Sequence, residues 1–190
     1  MRMPLAELNR LDRDAFVAHL GRLYEHSPWV AERAWTERPF DSLAALWAAM
    51  QQAVEHASHD EQLALIRAHP ELAGKLAIAG QLTDDSRAEQ ASAGLDRCTP
   101  EEFAEFQALN AAYRSKFDFP FIVAVRGLIR GEILARLTQR VSHSAEQEFS
   151  TCLQEIGRIA RFRLDDLIEE HNVSSNDRSP THAEPQKILR

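Results

Sequence analysis

One histidine and one glutamate in this sequence are placed where they could carry out proton chemistry. His69 precedes Pro70, and Glu89 follows twenty residues after that histidine, directly before Gln90. The residue before a proline is disfavoured in an α-helix, so His69 is expected at a helix end, where a side chain can face a cleft. An imidazole with a partner carboxylate is a common means of proton transfer near neutral pH without a cofactor. The alternative is a histidine that only caps or packs at a helix junction.

The segment from Ser86 to Gln90 has a structural explanation as well as a functional one. Ser86-x-x-Glu89 is the spacing of a capping box, in which a hydroxyl and a carboxylate bond to backbone N–H groups at a helix start. The same helix start would offer free N–H groups and a positive dipole end to an anionic substrate. Gln90 would add a carboxamide that both donates and accepts. The two explanations are compatible.

A run of apolar and aromatic residues interrupts the helical pattern over 117–125. It contains β-branched residues and Pro120, which favour a buried extended segment over a helix. Packing in the core is the ordinary role of such a run. An extended segment inside a helical protein nevertheless leaves backbone groups in need of partners, and a polar ring edge could supply them. Arg126, directly after the run, is either a solvated charge or a clamp for a carboxylate.

Two other histidines, His56 and His59, raise a metal-binding alternative. Their i, i+3 spacing can place both imidazoles on one helix face, but no HExxH pattern accompanies them. Acidic neighbours make a solvated face the better interpretation, so no metal site is predicted. The sequence also lacks the patterns of a dinucleotide fingerprint, a phosphate-binding loop and a nucleophile elbow.

The elements that position these residues are predicted to be helices. Apolar residues recur at three- and four-residue spacings, which indicates an all-α fold: a single compact multi-helix domain over 1–171, with one extended apolar segment near 117–126. Residues 172–190 have little to bury and are expected to form a disordered tail. Helix starts are expected at Asp14, Ser27-Pro28, Asp41-Ser42, Asp60, Thr99-Pro100 and Ser144-x-x-Gln147.

Composition excludes several classes of protein. The chain has 190 residues, is 44% hydrophobic and carries a net charge of −7, so a core is expected and nucleic-acid binding is not. No apolar run reaches the roughly 20 residues of a membrane span, and the N-terminus lacks the apolar core of a signal peptide. Cys98 and Cys152 match no disulfide framework or metal spacing. A cytoplasmic protein that acts on a small molecule, with no membrane or nucleic-acid partner, is therefore expected.

Six strings of the sequence, taken in order, resemble the 2-oxo-4-hydroxy-4-carboxy-5-ureidoimidazoline (OHCU) decarboxylases of uric acid breakdown. Each string is weak alone, but their combination and order are specific, and they cover roughly residues 5–170. Asp118 stands where the family pattern would have Gly. The strings are Pro28-Trp29-Val30-Ala31, Arg38-Pro39-Phe40, His69-Pro70-Glu71-Leu72-Ala73-Gly74-Lys75, Ser86-x-x-Glu89-Gln90-x-x-Ala93-Gly94-Leu95, Phe117-x-Phe119-Pro120-Phe121-Ile122-Val123-Ala124-Val125-Arg126-Gly127 and Glu155-Ile156-x-Arg158-Ile159-Ala160.

The resemblance implies an all-helical decarboxylase that needs no cofactor, is usually dimeric and produces (S)-allantoin. His69 would be the catalytic acid, with Glu89 as its partner. The substrate would carry its own electron sink, a ring C=N bond one carbon from the departing carboxylate. An alternative from another class is a helical protein that binds a ureide or purine without reacting. The residues that would surround the substrate are Pro70, Ser86, Arg87, Ala88, Glu89, Gln90, Phe121, Ile122, Val123, Ala124 and Val125, with Arg126 as an extra contact.

Overall fold

The computed structural model describes residues 2–73 and 82–170, and most of them are helical. A 3-10 turn at Leu95–Arg97 follows the sixth described helix, and strand β1, Met3–Pro4, pairs in parallel with β2, Ile168–Glu169. The all-α prediction is confirmed. The helices in these ranges are α1 Leu5–Leu8, α2 Arg13–Leu20, α3 Trp29–Trp35, α4 Leu43–Glu55, α5 His59–Ala68, α6 Asp84–Ser92, α7 Pro100–Phe117, α8 Arg130–Arg140 and α9 Ala145–Leu167.

Three helices begin where the sequence predicts. Ser42 caps α4 and Ser144 caps α9, each with a hydroxyl that accepts a backbone N–H three residues later. Thr99 and Glu102 form a complete capping box at the start of α7, and Pro100 takes its first position. In all three helices a hydroxyl at the cap position accepts a backbone N–H that has no partner within the helix.

Three other predicted starts are wrong by a few residues. Asp12, rather than Asp14, caps α2, and Ser58, rather than Asp60, caps α5. At α3, Ser27 does not cap the helix, because its hydroxyl donates to a backbone carbonyl two residues earlier. At α2 and α5 two short polar residues compete for one cap, and spacing alone does not decide between them. At α3 the residue at the cap position is Pro28, and no side chain caps the helix.

The core forms where the 23-residue helix α9 packs against α4, α5 and α7. The indole of Trp47 on α4 donates to the carbonyl of Gly157 on α9 at 3.1 Å, which fixes this crossing. The pairing of β1 with β2 brings the start of the described chain beside the end of α9. The largest fully buried side chains include Phe16, Tyr24, Leu46, Met50, Leu65, Ile66, Phe106, Tyr113 and Phe121.

The predicted extended segment is confirmed over 119–125, where every residue is buried and none is helical. Its predicted start at Phe117 is wrong, because Phe117 is the last residue of α7 and Asp118 is its C-cap. Two of its backbone groups bond to charged side chains: Arg140 donates to the carbonyl of Ile122 at 2.6 Å, and Glu155 accepts from the N–H of Ala124 at 2.7 Å. Asp118 ends α7 with φ of 61°, a left-handed conformation that glycine adopts without strain. The glycine that the resemblance led us to expect there would adopt this geometry without the cost of a Cβ.

Within the two described ranges, no helix is long and apolar enough to cross a membrane. The tail predicted over 172–190 lies outside the described residues, as do Gly74 and Lys75 of the string that begins at His69. The domain boundary at 171 therefore stays a prediction.

Candidate active site

His69 lies at the end of α5, as Pro70 predicts, with an extended backbone (φ −76°, ψ 138°). Its side chain is 7% exposed, and its Nδ1 lies 2.9 Å from the carbonyl of Leu65. A carbonyl only accepts, so Nδ1 carries the proton in this contact. The neutral ring therefore has its lone pair on Nε2, and that nitrogen is a proton acceptor in the resting protein.

Burial lowers the pKa of His69 to about 4, from an ordinary value of 6.5. The carbonyl of Leu65 and the carboxylate of Glu25 act in the opposite direction, and the positive charge of Arg163 adds to the lowering. Desolvation of the charged ring outweighs the favourable contacts. The imidazole is consequently neutral near pH 7.

Glu25 is the acidic group that acts on His69 electrostatically, and the sequence analysis did not identify it. Its side chain is 3% exposed, and it accepts hydrogen bonds from the hydroxyls of Ser86 and Thr83 and from Nη2 of Arg163 at 3.0 Å. Burial opposes ionisation, but the bonds from Ser86 and Arg163 outweigh it and keep the pKa of Glu25 below its ordinary value. Glu25 is therefore a buried carboxylate.

The expected pairing of Glu89 with His69 is wrong. Glu89 forms a two-point ion pair with Arg163, with Nε–Oε1 at 2.7 Å and Nη2–Oε2 at 2.8 Å. A planar guanidinium satisfies both carboxylate oxygens at once, which one imidazole nitrogen cannot do. Arg163 is 6% exposed and lies between Glu89 and Glu25.

The capping box expected at Ser86 is also wrong. Thr83 caps α6, so Ser86 lies inside the first turn, and its hydroxyl is used by Glu25 instead. The free N–H groups of this helix start are thus not at Ser86. Gln90, one turn later, accepts from the N–H of Ala73 at 3.1 Å and donates to the carbonyl of Glu71 at 3.3 Å.

Two neighbouring cavities meet at His69 and Pro70. A buried pocket of about 30 Å³ has room for little more than a water molecule. A more open cleft of about 530 Å³ lies on the other side and includes Glu25, Asn110 and Arg114 in its wall. The small pocket is lined by His69, Pro70, Leu72, Ser86, Glu89, Gln90, Phe121, Ile122, Val123, Val125, Ile159 and Arg163.

Most of the residues expected around the substrate are brought together in that small pocket, and four are not. Arg87 bonds to Asp84 and to a backbone carbonyl, and Ala88 lines a separate outer cleft. Ala124 directs its N–H to a glutamate on α9. Arg126 is paired with Asp166 and lies over a phenylalanine ring, on the same outer cleft as Ala88.

Sequence reasoning missed Arg163, although a signal for it exists. Arg163 falls on the apolar stripe of α9, three residues after Ala160 and directly before Leu164. A charged residue on a buried helix face requires a buried partner of opposite charge. Glu25 had no comparable signal, because its partners are distant in sequence.

The two histidines considered for metal binding lie on different elements. His56 is the C-cap residue that follows α4, whereas His59 begins α5 and stacks on Phe149 with ring centroids 4.6 Å apart. In the described part of the chain, no three potential metal ligands converge.

Comparison with known proteins gives a consistent result. A family model described as OHCU decarboxylase matches residues 9–165. The protein named 2-oxo-4-hydroxy-4-carboxy-5-ureidoimidazoline decarboxylase in Halalkalicoccus jeotgali is 46% identical over 166 residues, which are 87% of this chain and 92% of that protein. The protein of the same name in Haloferax volcanii is 48% identical over 162 residues, which are 85% of this chain and 94% of that protein.

A solved structure supports the same relationship. The crystal structure of an (S)-allantoin synthase superimposes with a TM-score of 0.68 at 34% identity, over 85% of this chain and 53% of that one. The present chain thus spans about half the length of that protein.

Proposed function

The chain belongs to the OHCU decarboxylase family, and we propose that it converts OHCU to (S)-allantoin in uric acid breakdown, without a cofactor. One observation supports this most directly: a single buried pocket is lined by His69, by the Glu89–Arg163 pair and by four of the five residues of the extended segment 121–125, all but Ala124. A ring with a ureido arm needs more than 30 Å³, so the substrate would occupy this pocket and the part of the cleft beside His69.

The reaction needs a place for the electrons of the broken C–C bond. When the carboxylate leaves as CO2, those electrons form a C=C bond in the ring, and the electrons of the adjacent C=N bond move to nitrogen, which takes a proton. The product is an enol at the carbon that held the carboxylate. A proton then adds to the neighbouring carbon, the one that bears the ureido group, and the enol hydroxyl loses its proton to give the ketone.

His69 is the group we assign to that proton transfer, as acceptor first and donor second. Its Nε2 has the lone pair because Nδ1 is engaged by Leu65. It would take the proton of the substrate hydroxyl and return it to the ureido-bearing carbon from one face only. Delivery from one face gives one enantiomer, whereas protonation of a planar enol in water gives both.

The charges around the pocket favour loss of a carboxylate. Arg163 balances only one of two carboxylates, the buried Glu25 and the half-buried Glu89, so the cluster has a net negative charge. Phe121 and Ile159 add apolar lining. A substrate carboxylate is poorly stabilised beside a net negative charge and apolar side chains, whereas the CO2 that it becomes is neutral. The surroundings therefore favour loss of the carboxylate. The hydroxyl of Ser86, whose proton goes to Glu25, would accept from a ureido or ring N–H, and the second amide N–H of Gln90 would donate to a substrate carbonyl.

The test is to add the purified protein to freshly generated OHCU and follow two signals. The protein should speed the loss of OHCU absorbance, and circular dichroism should show a single enantiomer of allantoin. A protein that only binds ureides would leave the rate unchanged and the product racemic. That result would contradict the proposed function.

We also propose that the protein works as a homodimer in the cytoplasm. The thiols of Cys98 and Cys152 are free, which suits a reducing compartment. The dimer rests on the family resemblance alone. Sedimentation equilibrium would test it, and a monomer mass at micromolar concentration would contradict it.

A further inference from the structure

The backbone directly after His69 and Pro70 is held by side chains rather than by secondary structure. Each of the three consecutive carbonyls of residues 71–73 accepts a hydrogen bond from a side-chain amide. Gln90 on α6 provides the first of these bonds, and it also accepts from the N–H of Ala73. The segment is thus tied to α6 at two points.

The other two bonds come from α7, on the opposite side of the segment. Asn110 donates to the carbonyl of Leu72 at 2.9 Å, and Gln107 donates to the carbonyl of Ala73 at 2.8 Å. Both of these α7 residues line the open cleft beside His69. We call Gln90, Gln107 and Asn110 the amide clamp.

The clamp holds a conformation that the chain would not adopt by itself. Ala73 has φ of 50°, a left-handed conformation that costs a residue with a Cβ roughly 1 kcal/mol or more. Its side chain is 3% exposed, and both its N–H and its carbonyl are taken by clamp amides. The hydrogen bonds therefore offset local strain.

Asn110 carries a cost of its own. It is 4% exposed, its Nδ2 is used by Leu72, and its Oδ1 is buried with no hydrogen-bond partner. A leucine of similar shape would avoid that unpaired acceptor. A residue that is unfavourable for packing but directs a backbone beside a candidate catalytic group suggests a functional purpose.

We propose that Gln107 and Asn110, with Gln90, are positioning residues for His69, which they hold in place through the backbone of residues 71–73. This inference rests on the proposed function. Helix α5 holds the chain before His69 and ends there. The clamp holds the chain after His69. A misplacement of about 1 Å at a reacting group can cost about 100-fold in rate, so this support bears on catalysis.

The test compares Asn110→Leu and Gln107→Met with the wild-type protein. Each variant removes an amide donor but keeps a side chain of similar size. We expect kcat on OHCU to fall about 10- to 100-fold, KM to change little, and the enantiomeric excess of allantoin to decrease. The melting temperature of Asn110→Leu should change little, because the unpaired Oδ1 is lost together with the donor.

Asn9→Leu is the matched control. Asn9 makes a comparable pair of bonds to the backbone of Phe40, at 2.8 and 2.9 Å, and lines none of the cavities at His69. This variant should keep the wild-type kcat and enantiomeric excess even where it lowers the melting temperature. If it lowers kcat as much as the clamp variants do, the effect is general destabilisation and the proposal is wrong.

A second measurement does not depend on turnover. Proton NMR of the His69 Nδ1–H should show faster exchange with water in both clamp variants than in the wild type and Asn9→Leu. If both clamp variants keep the wild-type exchange rate and the wild-type kcat on OHCU, the clamp proposal is wrong and the proposed function stands. Faster exchange in the clamp variants, combined with a wild-type protein that fails to react with OHCU, would instead overturn the proposed function and leave the positioning role supported. Gln107 is only half-buried, so its variant remains informative if Asn110→Leu does not fold.

Discussion

Replacing His69 by asparagine should make the protein less sensitive to acid. Asparagine can still donate to the carbonyl of Leu65, but it does not titrate. In the wild type, the folded pKa of about 4 lies below the ordinary value of 6.5, so the unfolded chain binds a proton more readily. Stability is therefore fully present above pH 6.5 and is lost as the pH falls from 6.5 towards 4.

The size of the effect follows from the two pKa values. A difference of two and a half units corresponds to about 3 kcal/mol once the pH is below both values, and to about 2 kcal/mol at pH 5. Urea unfolding at pH 7.5 and pH 5 gives the free energy of unfolding under each condition. We expect the wild type to lose about 2 kcal/mol more than His69→Asn between them.

His56→Asn provides the control for this comparison. His56 is exposed, so its imidazole meets water in the folded and the unfolded chain alike. The control should lose as much stability as the wild type does. Equal losses in the wild type and His69→Asn would show that His69 titrates normally when folded, and would refute the assignment of a buried neutral ring.

Three further results are expected from the same contacts. Arg163→Met should lower the free energy of unfolding in urea by about 3–5 kcal/mol, because it leaves the buried carboxylate of Glu25 without a counter-charge and also breaks the pair with the half-buried Glu89. A loss below about 1 kcal/mol would contradict the described ion pairs. Glu155→Leu should lower the free energy of unfolding by about 1–3 kcal/mol in the same assay and raise KM, because the N–H of Ala124 loses its acceptor beside the pocket. An unchanged KM would show that the segment 121–125 does not bind substrate. Dialysis against EDTA should leave the rate of OHCU loss unchanged, and a loss restored by a divalent cation would revive a metal mechanism.

Local signals in the sequence are sufficient to place several parts of the site. Pro70 determines that α5 ends at His69, and the β-branched run with Pro120 determines that residues 119–125 are extended. Both effects act on the backbone of neighbouring residues, so they depend little on the rest of the fold.

The partners within the site could not be predicted in the same way. Glu89 is twenty residues from His69 in sequence, but α9 brings Arg163 to it from 74 residues away. Glu25 reaches Ser86 across 61 residues. Such contacts depend on how helices pack, and one sequence does not specify that packing. The charge of Arg163 on an apolar stripe predicts a buried ion pair but does not identify its members.

The most direct test of the account is the handedness of the allantoin that His69→Asn produces from freshly generated OHCU. The urea experiment establishes whether this variant is folded at pH 7.5, so a loss of activity can be attributed to the ring itself. We predict that allantoin forms no faster than without protein and that it is racemic by circular dichroism. Rapid formation of the (S) enantiomer by this variant would show that another group delivers the proton.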